Sequence, residues 1–148
     1  MMDKEINWGK IVEKNKLGNI MLPKKMFDSI INETEMTSPS PTTHVLVIFS
    51  PKPRALKIDI FPLESREVIK IQLKLTDFTV RTIEQLREVT KELNLPDYLH
   101  MSGVCVEKQF CLHESYIEKE KLTVSIDLVR ERFMSIDSVT DVQIYHVE

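Results

Sequence analysis

The chain has 148 residues, 42% of them apolar and 29% charged, which suits a soluble globular protein of one ordinary domain or two small ones. No run approaches the roughly 20 apolar residues needed to cross a bilayer. The opening MMDKEINWGK also lacks the apolar run of a secretory signal, so a cytoplasmic protein with no membrane partner is expected. The net charge of −3 is unevenly spread. Residues 1–62 carry nine Lys/Arg against seven Asp/Glu, and residues 63–148 carry eleven against sixteen. This mild asymmetry is compatible with a polyanion at the amino-terminal end.

In chain order, an extended segment is predicted over Ile6–Glu13. Lys16-Leu17-Gly18-Asn19 is turn chemistry, because Gly and Asn accept positive φ at little cost. Ile20-Met21-Leu22 resumes an extended apolar run, and Pro23 ends it because proline cannot donate to a sheet ladder. Met26, Phe27, Ile30 and Ile31 then fall at helical spacing, predicting a short helix over Lys24–Asn32. The polar, proline-bearing stretch 32–43 reads as a loop. His44–Ser50 and Ala55–Phe61 read as a second hairpin around Pro51–Arg54. Pro62–Arg66 marks the boundary between two domains, 1–62 and 66–148.

The second part is more regular. Val68–Leu75 alternates Ile69, Ile71, Leu73 and Leu75 with Lys70, Gln72 and Lys74, the pattern of a half-buried strand. Thr82–Gln85 has capping-box spacing, and Ile83, Leu86, Val89, Thr90 and Leu93 trace one helix face that Pro96 ends. Leu99–Val106 and Gln109–Ile117 read as a hairpin with a two-residue turn at Glu107-Lys108. Leu122, Ile126, Val129, Phe133 and Ile136 form a second helix stripe, and Asp141–Val147 is a final strand. The order β-α-β-β-α-β is that of the split βαβ unit.

Two family resemblances follow from these residues. The run from Gly9-Lys10-Ile11-Val12 through Leu17-Gly18 to Leu22-Pro23 resembles the first half of an AbrB-type swapped-hairpin DNA-binding domain, over about residues 6–61. The resemblance implies that two chains interleave into one small β-barrel whose basic turns face DNA. Lys10, Lys14, Lys16, Lys24 and Lys25 are then the candidate phosphate contacts. Residues 66–147 resemble an ACT-type regulatory domain in strand order. That resemblance implies a ferredoxin-like fold, side-by-side pairing, and an effector such as an amino acid near the first strand-to-helix turn, at Asp77, Phe78 and Thr79. The fold class expected is therefore α+β, a swapped-hairpin barrel followed by a ferredoxin-like domain.

The residues themselves support both functional and ordinary roles. Five lysines within sixteen residues suit phosphate contact, whose affinity falls steeply with salt, but surface lysines also serve solubility. Base readout has few candidates: only Asn15 and Asn19 offer the bidentate amide that reads adenine. Asp77 could hold a ligand amine or cap its helix. Cys105, Cys111, His100 and His113 lie within fourteen residues. With a two-residue turn, however, Cys105 and Cys111 point to opposite sheet faces, which argues against zinc. The same register puts Met101, Cys105, Phe110 and Leu112 on the core face. His100, Val104, Cys111 and His113 fall on an open face with Val106, Lys70, Gln72 and Lys74, suited to packing against a partner or the first domain. Without an export signal, the two cysteines are expected as reduced thiols. There is no glycine-rich phosphate loop, nucleophile elbow or HExxH motif, so neither catalysis nor a cofactor is expected. The expectation is a homodimeric transcriptional regulator, DNA-binding through its basic turn and sensing a small molecule through its second domain. The alternative is a dimeric interaction or assembly module without DNA.

Overall fold

The computed structural model describes residues 5–19 and 44–148. The predicted strand at Ile20–Leu22, the helix at Lys24–Asn32 and the loop 32–43 lie outside the described residues. Within them the chain is mixed α and β. Seven strands form two antiparallel sheets, two α-helices are present, and neither sheet closes into a barrel. Contacts divide the chain into two compact units. One comprises residues 1–6 and 67–146, the other residues 7–66 and 147–148.

The smaller unit is a three-stranded sheet in the order β1-β2-β3, with β1 at Trp8–Glu13, β2 at His44–Lys52 and β3 at Ala55–Leu63. The apolar run Val45–Ile48 lies in the central strand and is buried on both faces. β1 pairs with β2 from Trp8↔Phe49 to Glu13↔His44. Lys52↔Ala55 closes the β2–β3 hairpin around Pro53-Arg54. The segment read as an open turn at Lys16–Asn19 is part of a 3₁₀ helix, Lys14–Asn19.

The larger unit follows the β-α-β-β-α-β order. β4 is Val68–Leu75, α1 Val80–Glu92, β5 His100–Val106, β6 Phe110–Glu118, α2 Ile126–Met134 and β7 Val139–Val147. The strands lie in the order β5-β6-β4-β7, so β5 is an edge. The core is the apolar stripe foreseen on β4, covered by α1 and α2. Ile69, Ile71, Leu73 and Leu75 pack with Leu86, Val89, Val129 and Phe133. Each such aliphatic side chain taken fully from water contributes about 1.5–3 kcal/mol.

The helix ends explain the lengths of α1 and α2. The cap of α1 lies three residues before the predicted box, since Thr79 accepts a hydrogen bond from the Thr82 amide. Its C-terminus stops before Pro96 because Asn94 takes a left-handed conformation, φ 48°. The Asn94 amide then reaches the Lys91 carbonyl and the Leu95 amide the Thr90 carbonyl, the paired bonds of a Schellman motif. Ser125 caps α2 through the Leu128 amide.

Three expectations are corrected here. First, the β5–β6 loop has three residues, Glu107-Lys108-Gln109, not two. Lys108 adopts φ 57°, and the Gln109 amide bonds the Val106 carbonyl. The register is therefore Val106↔Phe110, Cys105↔Cys111 and Gly103↔His113. A one-residue slip turns every side chain of a strand over. Cys111 and His113 accordingly join Met101 and Cys105 on the helix-covered face, while Phe110 and Leu112 face the other way.

Second, the cysteines are not free thiols. Standing directly opposite each other, Cys105 and Cys111 form a disulfide, with Cα atoms 3.9 Å apart.

Third, β4 is not half-buried. Lys70 is 4% exposed and Gln72 fully buried. Their polar ends are satisfied by a network on that face. Lys70 Nζ reaches Glu5 at 2.8 Å and Glu114 at 3.2 Å, Gln72 donates to Glu114 at 2.7 Å, and the Ile6 amide donates to Glu114 at 2.9 Å. Charges taken from water persist only when paired and hydrogen-bonded in this way.

Candidate ligand-binding groove

The register that brings His113 to the helix side also builds a cavity. β5, on the edge, stands away from α1, and a groove of about 690 Å³ opens between them. Its walls are mostly apolar, with Phe78, Ile83, Leu86, Leu95, Met101 and Phe133 among the lining residues. Gly103 contributes no side chain, and the Phe78 ring lies 3.5 Å from where a Cβ would stand. The volume falls in the range of about 300–1,000 Å³ typical of small-molecule sites.

Besides Asn94 and Ser102, the polar groups of the groove fall into three kinds. Some are already satisfied. Thr90 donates to the Leu86 carbonyl at 2.8 Å, which leaves its oxygen to accept from the Tyr98 hydroxyl at 2.9 Å. Burial pushes the Tyr98 hydroxyl pKa up, so the phenol stays protonated.

The second kind is the imidazole of His113. It is 8% exposed and stacks on Phe78, with ring centroids 6.0 Å apart. Its Nδ1 has no hydrogen-bond partner among the described residues. Removal from water lowers its pKa to about 4, so the ring is neutral at physiological pH. A neutral imidazole offers one donor and one acceptor nitrogen. A buried polar atom left unpaired costs about 1–3 kcal/mol.

The third kind is cationic. Arg87 and Lys91 border the groove from α1, both exposed, and no carboxylate among the described residues lines it.

The predicted effector residues separate in space. Phe78 lines the groove. Asp77 and Thr79 do not; they form the start of α1 instead. The Asp77 carboxylate accepts from the Thr82 hydroxyl and from the amide and hydroxyl of Thr79. Those bonds, that from Thr82 foremost, lower its pKa. Asp77 therefore braces the Thr79 cap at the start of α1.

The predicted DNA-contacting residues lie in the smaller unit. Lys10 is exposed on β1, and Lys14 and Lys16 follow in the 3₁₀ turn that ends at Asn19. Lys16 pairs with Glu13 at 3.6 Å. Lys24 and Lys25 lie outside the described residues. Among the described residues, no cluster of three His, Cys, Asp or Glu could hold a metal ion. No described helix is long and apolar enough to cross a membrane.

His113 and Arg87 were not singled out as ligand contacts by sequence reasoning. His113 was assigned to the other face by the two-residue turn, and nothing in the periodicity of α1 distinguishes Arg87 and Lys91 from other solvent-facing cations. No family model, curated protein or solved structure matches this chain.

The buried imidazole makes stability pH-dependent. Its folded-state pKa is depressed from 6.5 to about 4, so on acidification the unfolded chain takes up the proton first. Stability is complete above pH 6.5 and falls as pH drops towards 4. From pH 7 to pH 5 this one group should account for about 2 kcal/mol of lost stability. Urea denaturation at the two pH values should show that loss in the native chain and a smaller one in His113→Phe. An NMR titration of the His113 ring should have its midpoint near 4; a midpoint near 6.5 would mean that the ring is solvated.

Proposed function

We propose that this chain is a small-molecule-responsive regulatory protein whose sensing module is residues 67–146. The observation that carries the proposal is the groove of about 690 Å³ between α1 and β5, mostly apolar, with the His113 ring among its lining residues. A concave, mostly apolar pocket of this size with a few polar groups in its lining is the usual form of a small-molecule site. The β-α-β-β-α-β order and the sheet order β5-β6-β4-β7 support a ferredoxin-like arrangement of the ACT type. The ligand here sits along α1 and β5, not at the Asp77–Thr79 turn. A ligand of this module shifts the behaviour of the whole protein only by binding one of its arrangements more tightly.

The neutral dye Nile red tests the site without presupposing a charge. Saturable one-to-one binding at micromolar concentration is expected. Gly103→Val, which places a β-branched side chain in the groove while suiting a strand, should weaken it at least tenfold with an unchanged circular dichroism spectrum. No saturable binding to the native chain would overturn the proposal.

A second reading concerns residues 7–66. Lys10, Lys14 and Lys16 follow one another on β1 and its 3₁₀ turn, which favours phosphate contact in an interleaved homodimer of the AbrB type. Gel-shift titration should then show binding to duplex DNA at 50 mM salt that weakens at least tenfold by 200 mM. Charge reversal at Lys10, Lys14 and Lys16 should abolish it. Absence of binding at the lower salt would leave the chain as an interaction module that senses a small molecule without DNA.

A further inference from the structure

We propose that the occupant of the α1–β5 groove is an anionic amphiphile, a monocarboxylate with an apolar chain or ring, whose carboxylate is held at Arg87 and Lys91 while its body fills the cavity. This identification rests on the groove being a ligand site and adds the chemical class.

Three observations support it. First, the charge bordering the groove has one sign. Among the described residues, Arg87 and Lys91 are the only charged ones in its lining, and no Asp or Glu lines the cavity. Second, these two cations are available. Four residues apart on a helix, they stand one turn from each other on the same edge. Glu84 and Glu88 share that helix, yet neither Arg87 nor Lys91 is ion-paired among the described residues. Glu92, the next acid along α1, is held instead by Arg132. Third, the interior is suited to hydrocarbon. Ile83, Leu86, Leu95 and Phe133 present no polar side-chain atoms, and the neutral His113 ring carries no charge that would draw the carboxylate to the floor.

The alternatives fit less well. A cationic amphiphile would bring its charge beside two like charges. A neutral one would leave the pair at the rim without a role. A carboxylate at Arg87 can take two parallel N–H bonds, with Lys91 adding a third, and such charge-assisted contacts are the stronger kind.

Competition against Nile red distinguishes these ligands. Decanoate, 1-decanol and decylamine are each titrated into the native chain below their critical micelle concentrations at low salt. Decanoate should displace the dye at least tenfold more effectively than 1-decanol, with decylamine the weakest. Raising the salt should narrow the gap between decanoate and 1-decanol, since the contacts lie at an exposed rim. In the double variant Arg87→Gln, Lys91→Gln, decanoate should displace Nile red no better than 1-decanol.

Equal displacement by decanoate and 1-decanol in the native chain would overturn the assignment of an anion, while retained Nile red binding would leave the groove itself standing. A preference for decanoate that survives the double variant would also overturn it, because the charge would then be read elsewhere. Failure of Nile red to bind would remove both the site and its ligand.

Discussion

A single constraint, the register between β5 and β6, organises the larger unit. It is set by a three-residue loop in which Lys108, a residue with a Cβ, occupies the left-handed region at a cost of about 1–2 kcal/mol. Moved by one residue, the same hairpin would turn Cys111 and His113 to the far face and bring Phe110 and Leu112 over to the helices. The disulfide between Cys105 and Cys111 fixes the choice covalently, because only this pairing brings the two residues directly opposite each other. Its contribution is to exclude the alternative pairing, on an edge strand where no second neighbour would otherwise enforce the register.

From that register follow the two faces of the sheet and their different chemistry. The helix-covered face is apolar and ends at the groove, where Gly103, His113 and Phe78 meet. The other face buries Lys70, Gln72 and Glu114 in a connected set of ion pairs and hydrogen bonds that Glu5, the Ile6 amide and the Tyr145 hydroxyl join. Removing one member would strand a buried charge, so the network acts as a unit. One face thus holds a buried polar network, and the other a mostly apolar groove.

Much of this architecture was legible in the amino-acid sequence. The alternation of Val68–Leu75 identified a strand and its core-facing side, and the spacing of Leu86, Val89 and Leu93 gave the buried face of α1. Both signals arise from periodicity, which burial enforces directly. The loop length at Glu107–Gln109 was not legible. The usual marker of a left-handed position is Gly or Asn, and here the position is filled by Lys108. The half-buried reading of β4 failed for a related reason. Lysine and glutamine at alternate positions mark a wet face only when no acid is paired beneath them, and Glu114 lies some forty residues away in the chain. Of the residues expected to touch an effector, Phe78 lines the cavity, whereas Thr79 caps α1 and Asp77 braces that cap. His113 could have been found from the register alone, had the turn carried its usual residue.

The central claim is that the helix-covered face of the β5–β6 hairpin is where a ligand binds. Isotope-filtered nuclear Overhauser measurements on the labelled protein with unlabelled decanoate test it directly. The structure predicts contacts from the decanoate chain to the Met101 methyl, the Phe78 ring and the Gly103 α-protons, and none to Leu112, Val106 or Lys74. Contacts to this second set without the first would contradict the account, because they would place the ligand on the opposite face of the sheet.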